Sequence, residues 1–113
     1  MYDPDKRKIL SALSHGAIFL SATLVSIGLP VALFFVSQDP VVKENAKESI
    51  NFHINVWLYG AIVTALIWLS FGLLFPLAGL WFLIHWGLTI WAIFHVLNDP
   101  DKPFRYPFIF RLI

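Results

Sequence analysis

Two long stretches without a charged residue constrain the fold of this chain more than any other feature. Ile9–Gln38 runs for 30 residues and Ser49–Asn98 for 50 residues without Asp, Glu, Lys or Arg. The hydrocarbon core of a bilayer is about 30 Å thick, and an α-helix needs roughly 20 residues to cross it. Backbone polar groups must be paired inside lipid, so stretches of this kind form helices. The pattern predicts an all-α integral membrane protein.

The lengths of the two stretches predict three transmembrane helices. The first stretch holds one span with some excess, and the second holds two spans joined by a turn near Ser70–Gly79. Glycine and proline in that segment supply the residues that end a helix. The predicted spans cover residues of about 9–37, 50–70 and 77–97.

The first predicted span contains a proline that should distort it. Pro30 follows Gly28, and proline removes a backbone donor and clashes with the preceding helical turn. We therefore expect a main helix over about 9–27, a kink near Gly28 and Pro30, and a shorter redirected piece that ends near Phe35.

The charged residues between and after the spans predict elements at the membrane surface. Asp39 is a suitable N-cap and Pro40 a favoured first helical residue, so an amphipathic interfacial helix is expected over 40–49. The tail, residues 98–113, contains three prolines and cannot form a continuous helix. It is expected to lie along the headgroups, with aromatic rings in the membrane and guanidinium groups in water.

Composition excludes several classes of function. Only 13% of the residues are charged, against about 25% in soluble domains, which argues against a soluble enzyme. The net charge of +1 argues against nucleic-acid binding, and the lack of cysteine excludes disulfides and thiolate metal sites. The predicted spans contain no Asp or Glu, so neither a catalytic acid–base set nor a proton-coupled transporter is expected. We expect no enzymatic activity.

Polar residues on one helix face are the candidate interaction residues. Asn51, Asn55 and Tyr59 are spaced by four and therefore share a face of the second predicted span. Cations of the interfacial helix and of the tail are placed to contact headgroups or a partner. The candidate interaction residues are Asn51, Asn55, Tyr59, Lys43, Lys47, Arg105 and Arg111.

The histidines are candidate cofactor ligands. With three spans, His53 and His95 lie at similar depth on the same side, His85 lies near the middle of the last span, and His15 lies near the opposite surface. A histidine pair can ligate haem, and a single histidine can ligate the magnesium of chlorophyll. No haem attachment motif accompanies them. Ordinary hydrogen bonding is the simpler interpretation, so no cofactor is expected, with haem or chlorophyll as the alternative.

The segment Ser37–Phe52, with the sequence SQDPVVKENAKESINF, resembles the central motif of small bacterial membrane proteins of unassigned function. Those proteins are relatives of the Tic-twenty component of the chloroplast import translocon. Other motifs of that family are similar to the ending Phe104–Pro107 and Arg111–Ile113 and to an early Ser14-His15. The particular residues resemble those of cyanobacterial members. The resemblance implies a helical protein of a bacterial inner or thylakoid membrane with no known enzymatic reaction. The chloroplast relatives are described with four spans, whereas this sequence predicts three.

Three functions compete at this point. The first is a non-catalytic accessory or assembly subunit of a larger membrane complex, which small size and many aromatic residues favour. The second is a Tic-twenty-like translocation or pore component, and the third is a haem- or chlorophyll-binding protein. The expected partners are the lipid bilayer and other membrane-protein subunits, and not nucleic acid.

The distribution of positive residues predicts an orientation. With three spans, the N-terminus and the central turn share one side, which carries three Lys or Arg residues. The interfacial helix and the tail share the other side, which carries five. Positive residues near span ends favour the cytoplasmic side, so this tally predicts a cytoplasmic C-terminus.

Overall fold

The computed structural model describes residues 3–19 and 24–113, and the regular structure in these residues is helical throughout. This confirms the all-α prediction. The four α-helices, with a short 3₁₀ helix at Ala17–Phe19, are α1 (Pro4–Gly16), α2 (Leu24–Val36), α3 (Pro40–Leu69) and α4 (Pro76–Asn98).

In its described residues, the first charge-free stretch forms no helix long enough to cross a membrane, so the prediction of three spans is wrong. Helices α1 and α2 have 13 residues each, which corresponds to about 20 Å and is too short to cross the hydrocarbon core. Within the described residues, two helices, α3 and α4, are long and apolar enough to cross a membrane.

The predicted main helix over 9–27 also fails, because α1 ends at Gly16 and α2 begins at Leu24, with residues 20–23 outside the described ranges. Pro30, expected at a kink, lies inside α2 and is fully buried. The polar residues of α1 explain why that helix packs against protein and does not lie in lipid. Ser11, Ser14 and His15 are fully buried against other parts of the protein, where they find the partners that lipid would deny them.

The predicted interfacial helix over 40–49 is the first part of α3 and not a separate element. The Asp39 carboxylate caps α3 by accepting a hydrogen bond of 2.9 Å from the Val41 N–H, and Pro40 occupies the first turn. No glycine or proline lies between Val41 and Tyr59, so nothing ends the helix before the apolar part begins. Helix α3 has 30 residues and is about 45 Å long, so its charged first turns extend beyond the bilayer core.

Helix α1 lies beside the first half of α3 and runs in the same direction. Arg7 contacts Asp39 at the start of α3. Further along both helices, the Ser49 hydroxyl of α3 donates a hydrogen bond to the Ser14 carbonyl of α1. Helix α2 ends at Val36, only a short connection before α3 begins. The beginning of α1, the end of α2 and the beginning of α3 therefore lie together.

A small apolar core joins these helices to the tail. Ile18, Phe52 and Val96 belong to it, and so do two tail residues, Phe104 and Tyr106, which are almost fully buried. We call this half of the molecule the head. It comprises α1, α2, the first half of α3, the end of α4, and residues 99–113.

The rest of α3 and α4 forms a two-helix extension, the distal hairpin, over residues 57–88. A Schellman motif ends α3: the Gly72 N–H donates to the Ile67 carbonyl and the Phe71 N–H to the Trp68 carbonyl. Phe71 and Gly72 have positive φ values of 56° and 86°. The tip is apolar and open, with Trp68 78% and Phe71 98% exposed. Exposure of this kind suits lipid and not water.

Candidate functional site

A buried polar network in the head links α1, α3 and the tail, with His15 at its centre. Nε2 of His15 is 2.7 Å from Oδ1 of Asn45, and Nδ1 is 2.7 Å from the hydroxyl of Tyr106. An amide oxygen can only accept, so Nε2 carries the proton, and Nδ1 accepts from the tyrosine hydroxyl. Both nitrogens of the imidazole thus have a hydrogen-bond partner within the protein.

Asn45 is the second centre of this network and uses its full hydrogen-bonding capacity. Its Oδ1 accepts from His15 and also from the Phe104 N–H, at 3.0 Å. Its Nδ2 donates to the Ser11 hydroxyl and to the Val41 carbonyl, each at 3.1 Å. One side chain of α3 thus holds α1 on one side and the tail on the other.

Burial keeps the two titratable groups of the network uncharged. It lowers the pKa of His15, which lies on α1 outside the spanning helices, to about 4, although the Asn45 hydrogen bond acts in the opposite direction. Burial also raises the pKa of Tyr106 well above its usual value, and the nearby Glu48 carboxylate adds to this increase. The network is therefore electrically neutral at physiological pH.

The tail does not lie free along the headgroups, as the sequence suggested, but packs against the protein. Residues 104–113, which we call the strap, follow a polar face of α3. The face consists of residues three or four positions apart, which one side of a helix presents in a row. They are Asn45, Glu48, Asn51, Asn55 and Tyr59.

The outer part of this face holds the strap through its backbone. Asn55 binds Phe110 in both directions: Oδ1 accepts from the Phe110 N–H at 2.8 Å, and Nδ2 donates to the Phe110 carbonyl at 2.7 Å. One turn further, the Tyr59 hydroxyl donates to the Phe108 carbonyl at 2.9 Å. These side chains satisfy both donors and acceptors of the strap backbone, which turns at Phe108 with a positive φ of 60° and runs back along α3.

The last residues of the strap are held in the same way. Oδ1 of Asn51 accepts from the N–H groups of Leu112 and Ile113, at 2.8 and 3.1 Å. The predicted shared face of Asn51, Asn55 and Tyr59 thus exists, and the structure brings all three residues onto the strap of the same chain.

An ion pair closes the strap over α3. Nη2 of Arg111 is 2.9 Å from Oε1 of Glu48, and Nε is 3.2 Å from Oε2, so the guanidinium engages both carboxylate oxygens. Glu48 is only 6% exposed and also accepts from the Tyr106 N–H at 3.3 Å. A nearly buried carboxylate with three donors holds the strap far more firmly than a surface pair would.

The other predicted interaction residues are dispersed over the head. The ammonium group of Lys43 lies 5.4 Å from the ring centre of Phe34 on α2, in a cation–π contact. Lys47 is half-buried, and Arg105 is exposed on the strap.

The structure does not gather the three candidate cofactor histidines around one centre. His53 is fully buried, and its Nε2 has no hydrogen-bond partner in the described part of the chain. His15, expected at the opposite surface, lies in the head, which corrects that prediction. Residues 3–19 and 24–113 hold no group of three or more His, Asp or Glu residues that could bind a metal ion. The three rings each donate to a main-chain carbonyl: His53 to Ser49, His85 to Trp81 and His95 to Lys102, at 2.8, 2.9 and 3.1 Å.

Sequence reasoning missed the centre of the network, which is formed by His15, Asn45 and Tyr106, and the Glu48 carboxylate beside it. A signal was present, because Asn45 and Glu48 extend the row of Asn51 and Asn55 at helical spacing. It becomes visible only when α3 is recognised as a single helix from Pro40 onwards.

Two openings flank the network. A cleft of about 540 Å³ lies between α1 and α2 at the start of α3. Residues of both helices line it, including Arg7 and Leu10 of α1 and Leu33 and Val36 of α2. A groove of about 340 Å³ lies between α3, α4 and the strap and is almost entirely apolar. One side of the cleft is polar, because it is lined by Arg7 and Asp39, which form an ion pair of 2.7 Å. Desolvation opposes ionisation of Asp39, but hydrogen bonds from Arg7 and Val41 outweigh it and lower the pKa of Asp39.

Comparison with known proteins identifies a family. A model of the MamF/MmsF family, described as the magnetosome magnetite crystal formation protein family, matches residues 6–113. No curated protein and no solved structure matches the chain. The predicted relation to Tic-twenty proteins is therefore wrong, and the cyanobacterial and thylakoid assignments that accompanied it have no support. The match includes α3, α4, the strap and nearly all of α1, and this chain accordingly belongs to the MamF/MmsF family of magnetosome magnetite crystal formation proteins.

Proposed function

We propose that this chain is a non-catalytic, multi-pass membrane protein that acts as an accessory subunit in the formation of magnetite crystals. The observation that carries the proposal is the family match, which runs from residue 6 to residue 113 and thus includes both membrane-spanning helices and the strap. Membership places the chain among membrane proteins, and crystal formation is the process for which the family is described.

The polar network supports a structural role for the head. Every hydrogen-bonding atom of the His15 and Asn45 side chains has a partner within the protein. A general acid or base must reach a substrate proton, whereas these groups are fully buried and occupied by one another. The arrangement is suited to fixing the shape of the head, which an accessory subunit presents to its surroundings.

The outer faces of the spanning helices support a role within the membrane. Large apolar side chains such as Ile84, Trp91 and Phe94 are 52%, 56% and 61% exposed along α4. Two helices cannot bury such side chains against each other alone, so lipid or further membrane subunits must cover them. A complex with other membrane proteins is the arrangement that we propose.

Deletion in a bacterium that forms magnetite tests the proposal. We expect electron microscopy to show crystals of altered size or shape, and we expect the wild-type chain to restore them. Asn45→Ala, which removes the centre of the network, should restore them poorly. Asn98→Ala, which changes an exposed amide bonded only within α4, is the matched control and should restore them fully. Unchanged crystals in the deletion strain would contradict the proposed function.

A further inference from the structure

All charged segments of the protein meet at one end. The guanidinium of Arg7, in the first charged segment, forms an ion pair with each of the other two. Its Nε is 2.7 Å from Asp39, just before α3, and its Nη1 is 2.8 Å from Asp101, just after α4. One side chain thus links three charged segments that the two charge-free stretches separate in the sequence. Because α3 and α4 run antiparallel, their charged ends also coincide at this end.

Helices α1 and α2 leave and return to the same end. Each is about 20 Å long, so neither crosses a hydrocarbon core of about 30 Å. Both line the cleft at the start of α3 with residues near their outer ends, Lys6 and Arg7 on α1 and Val36 on α2. The buried polar residues of α1 face protein and not lipid, which is the condition under which a non-spanning helix pair is tolerated at membrane depth.

We propose that the chain crosses the membrane twice, through α3 and α4 alone, with α1 and α2 as a re-entrant pair and with the charged end of the head on the cytoplasmic side. The chain has eight Lys and Arg residues, and with this topology all eight flank the same membrane face. The opposite face receives only the tip of the distal hairpin, where the turn over 70–75 has no charge. Five of these cations lie within about 20 residues of an end of α3 or α4, and five against none fixes the orientation more strongly than five against three.

This topology names the surface through which the chain can contact soluble partners. The exposed charged residues lie on the head, among them Asp5, Lys6, Glu44, Lys102 and Arg105. The tip at the other face offers aromatic and aliphatic side chains that match lipid. Resting on the proposed function, the inference assigns the contacts of this protein with soluble partners to its cytoplasmic surface, whereas the exposed apolar faces of α3 and α4 contact lipid or membrane subunits.

Single-cysteine labelling tests the topology, because the chain contains no cysteine of its own. Asp5→Cys, Gln38→Cys and Lys102→Cys replace exposed residues in, or directly before, the three charged segments. In spheroplasts treated with a membrane-impermeant maleimide, we expect all three to stay unlabelled until the membrane is permeabilised. Labelling of Asp5→Cys alone in intact spheroplasts would restore the three-span topology, and labelling of all three would reverse the orientation.

Cross-linking provides a second measurement that does not depend on reagent access across the membrane. In the double variant Arg7→Cys/Asp39→Cys, a short bifunctional maleimide should form an intramolecular link, seen as a shift in gel mobility. Asp5→Cys/Leu73→Cys, which joins the head to the tip, is the matched control and should form none. Three spans would separate positions 7 and 39 by about 30 Å, so a missing link overturns the proposal. These results do not depend on crystals, so the deletion test and the topology test can fail independently.

Discussion

His15 and Asn45, 30 positions apart in sequence, share a buried hydrogen bond of 2.7 Å that fixes α1 against α3. The other nitrogen of the same imidazole, 2.7 Å from the Tyr106 hydroxyl, adds the strap to this junction. Three segments distant in sequence therefore depend on one neutral histidine and one amide.

Loss of the Asn45 amide should destabilise the head strongly. Asn45→Ala leaves the His15 Nε2–H and the Phe104 N–H without their acceptor in a buried site. Each unsatisfied buried group costs about 1–3 kcal/mol. We therefore expect the free energy of unfolding to fall by about 3–4 kcal/mol, measured by thermal unfolding in mild detergent. Asn98→Ala should change the stability by no more than about 0.5 kcal/mol. Equal effects of the two variants would show that the network contributes little.

Stability should fall as the pH is lowered from about 6.5 towards 4. In the folded protein the pKa of His15 is about 4, against 6.5 in the unfolded chain, so the unfolded state binds more protons within this window. Stability is then complete above about 6.5 and decreases as the pH approaches 4. One pKa unit corresponds to 1.36 kcal/mol, which gives a loss of about 3 kcal/mol, measurable as a decrease in Tm.

A variant that cannot titrate isolates this effect. His15→Gln should be less stable at pH 7 but show a shallower dependence on pH between 6.5 and 4. The lowered pKa of Asp39 acts in a separate window, because its contribution is lost only below its ordinary value of 3.8. The same pH dependence in His15→Gln as in the wild type would assign the effect to another group.

Neutralising Glu48 should loosen the strap. Glu48→Gln removes the charge that binds Arg111 and leaves a guanidinium that is still partly shielded from water. Hydrogen bonds to charged groups contribute about 1.5–3 kcal/mol, and partial exposure of Arg111 lowers our expectation to about 1–2 kcal/mol. We expect faster trypsin cleavage after Arg105 and a lower Tm. Glu44→Gln, at an exposed position of the same helix, should leave both unchanged, and an equal acceleration would contradict the role of the ion pair.

Helix contact in the distal hairpin should be sensitive to one glycine. A Cβ at Gly60 would lie 3.0 Å from Cζ2 and 3.3 Å from Cε2 of Trp81, whose Nε1 donates to the Val56 carbonyl. Displacing this ring costs about 1–3 kcal/mol, which exceeds the gain of about 1 kcal/mol that alanine brings to a helix. We expect Gly60→Ala to lower the Tm. Gly79→Ala, where a Cβ meets nothing within 4 Å, should raise the Tm or leave it unchanged, and the opposite order would refute the close contact.

Much of the architecture was open to prediction from local patterns. The charge-free stretches predict helices because lipid permits no unpaired backbone, and α3 and α4 agree with that expectation. Asp39-Pro40 predicts a helix start, which the cap on Val41 confirms. The spacing of Asn51, Asn55 and Tyr59 predicts their common face, since helical periodicity depends only on sequence distance.

The remainder depended on contacts that a local pattern does not contain. Hydropathy treats Ile9–Gln38 as one span, because averaging cannot distinguish a crossing helix from two short helices that return to the same side. The partners that hold α1 out of a spanning position are remote: Tyr106 lies 91 positions from His15. The motif at Ser37–Phe52 suggested relatives of Tic-twenty and not the MamF/MmsF family. A short polar segment beside a membrane helix is too little sequence to identify a family.

The docking of the strap also determines when the head is completed during biosynthesis. Translation proceeds from the N-terminus, so the strap, residues 104–113, leaves the ribosome after α3 and α4. Until the strap docks, the polar face of α3 is uncovered. Tyr106 then reaches His15, and Arg111 reaches Glu48. A chain without the strap keeps that face open, and the Glu48 carboxylate then loses the three donors that Arg111 and Tyr106 supply.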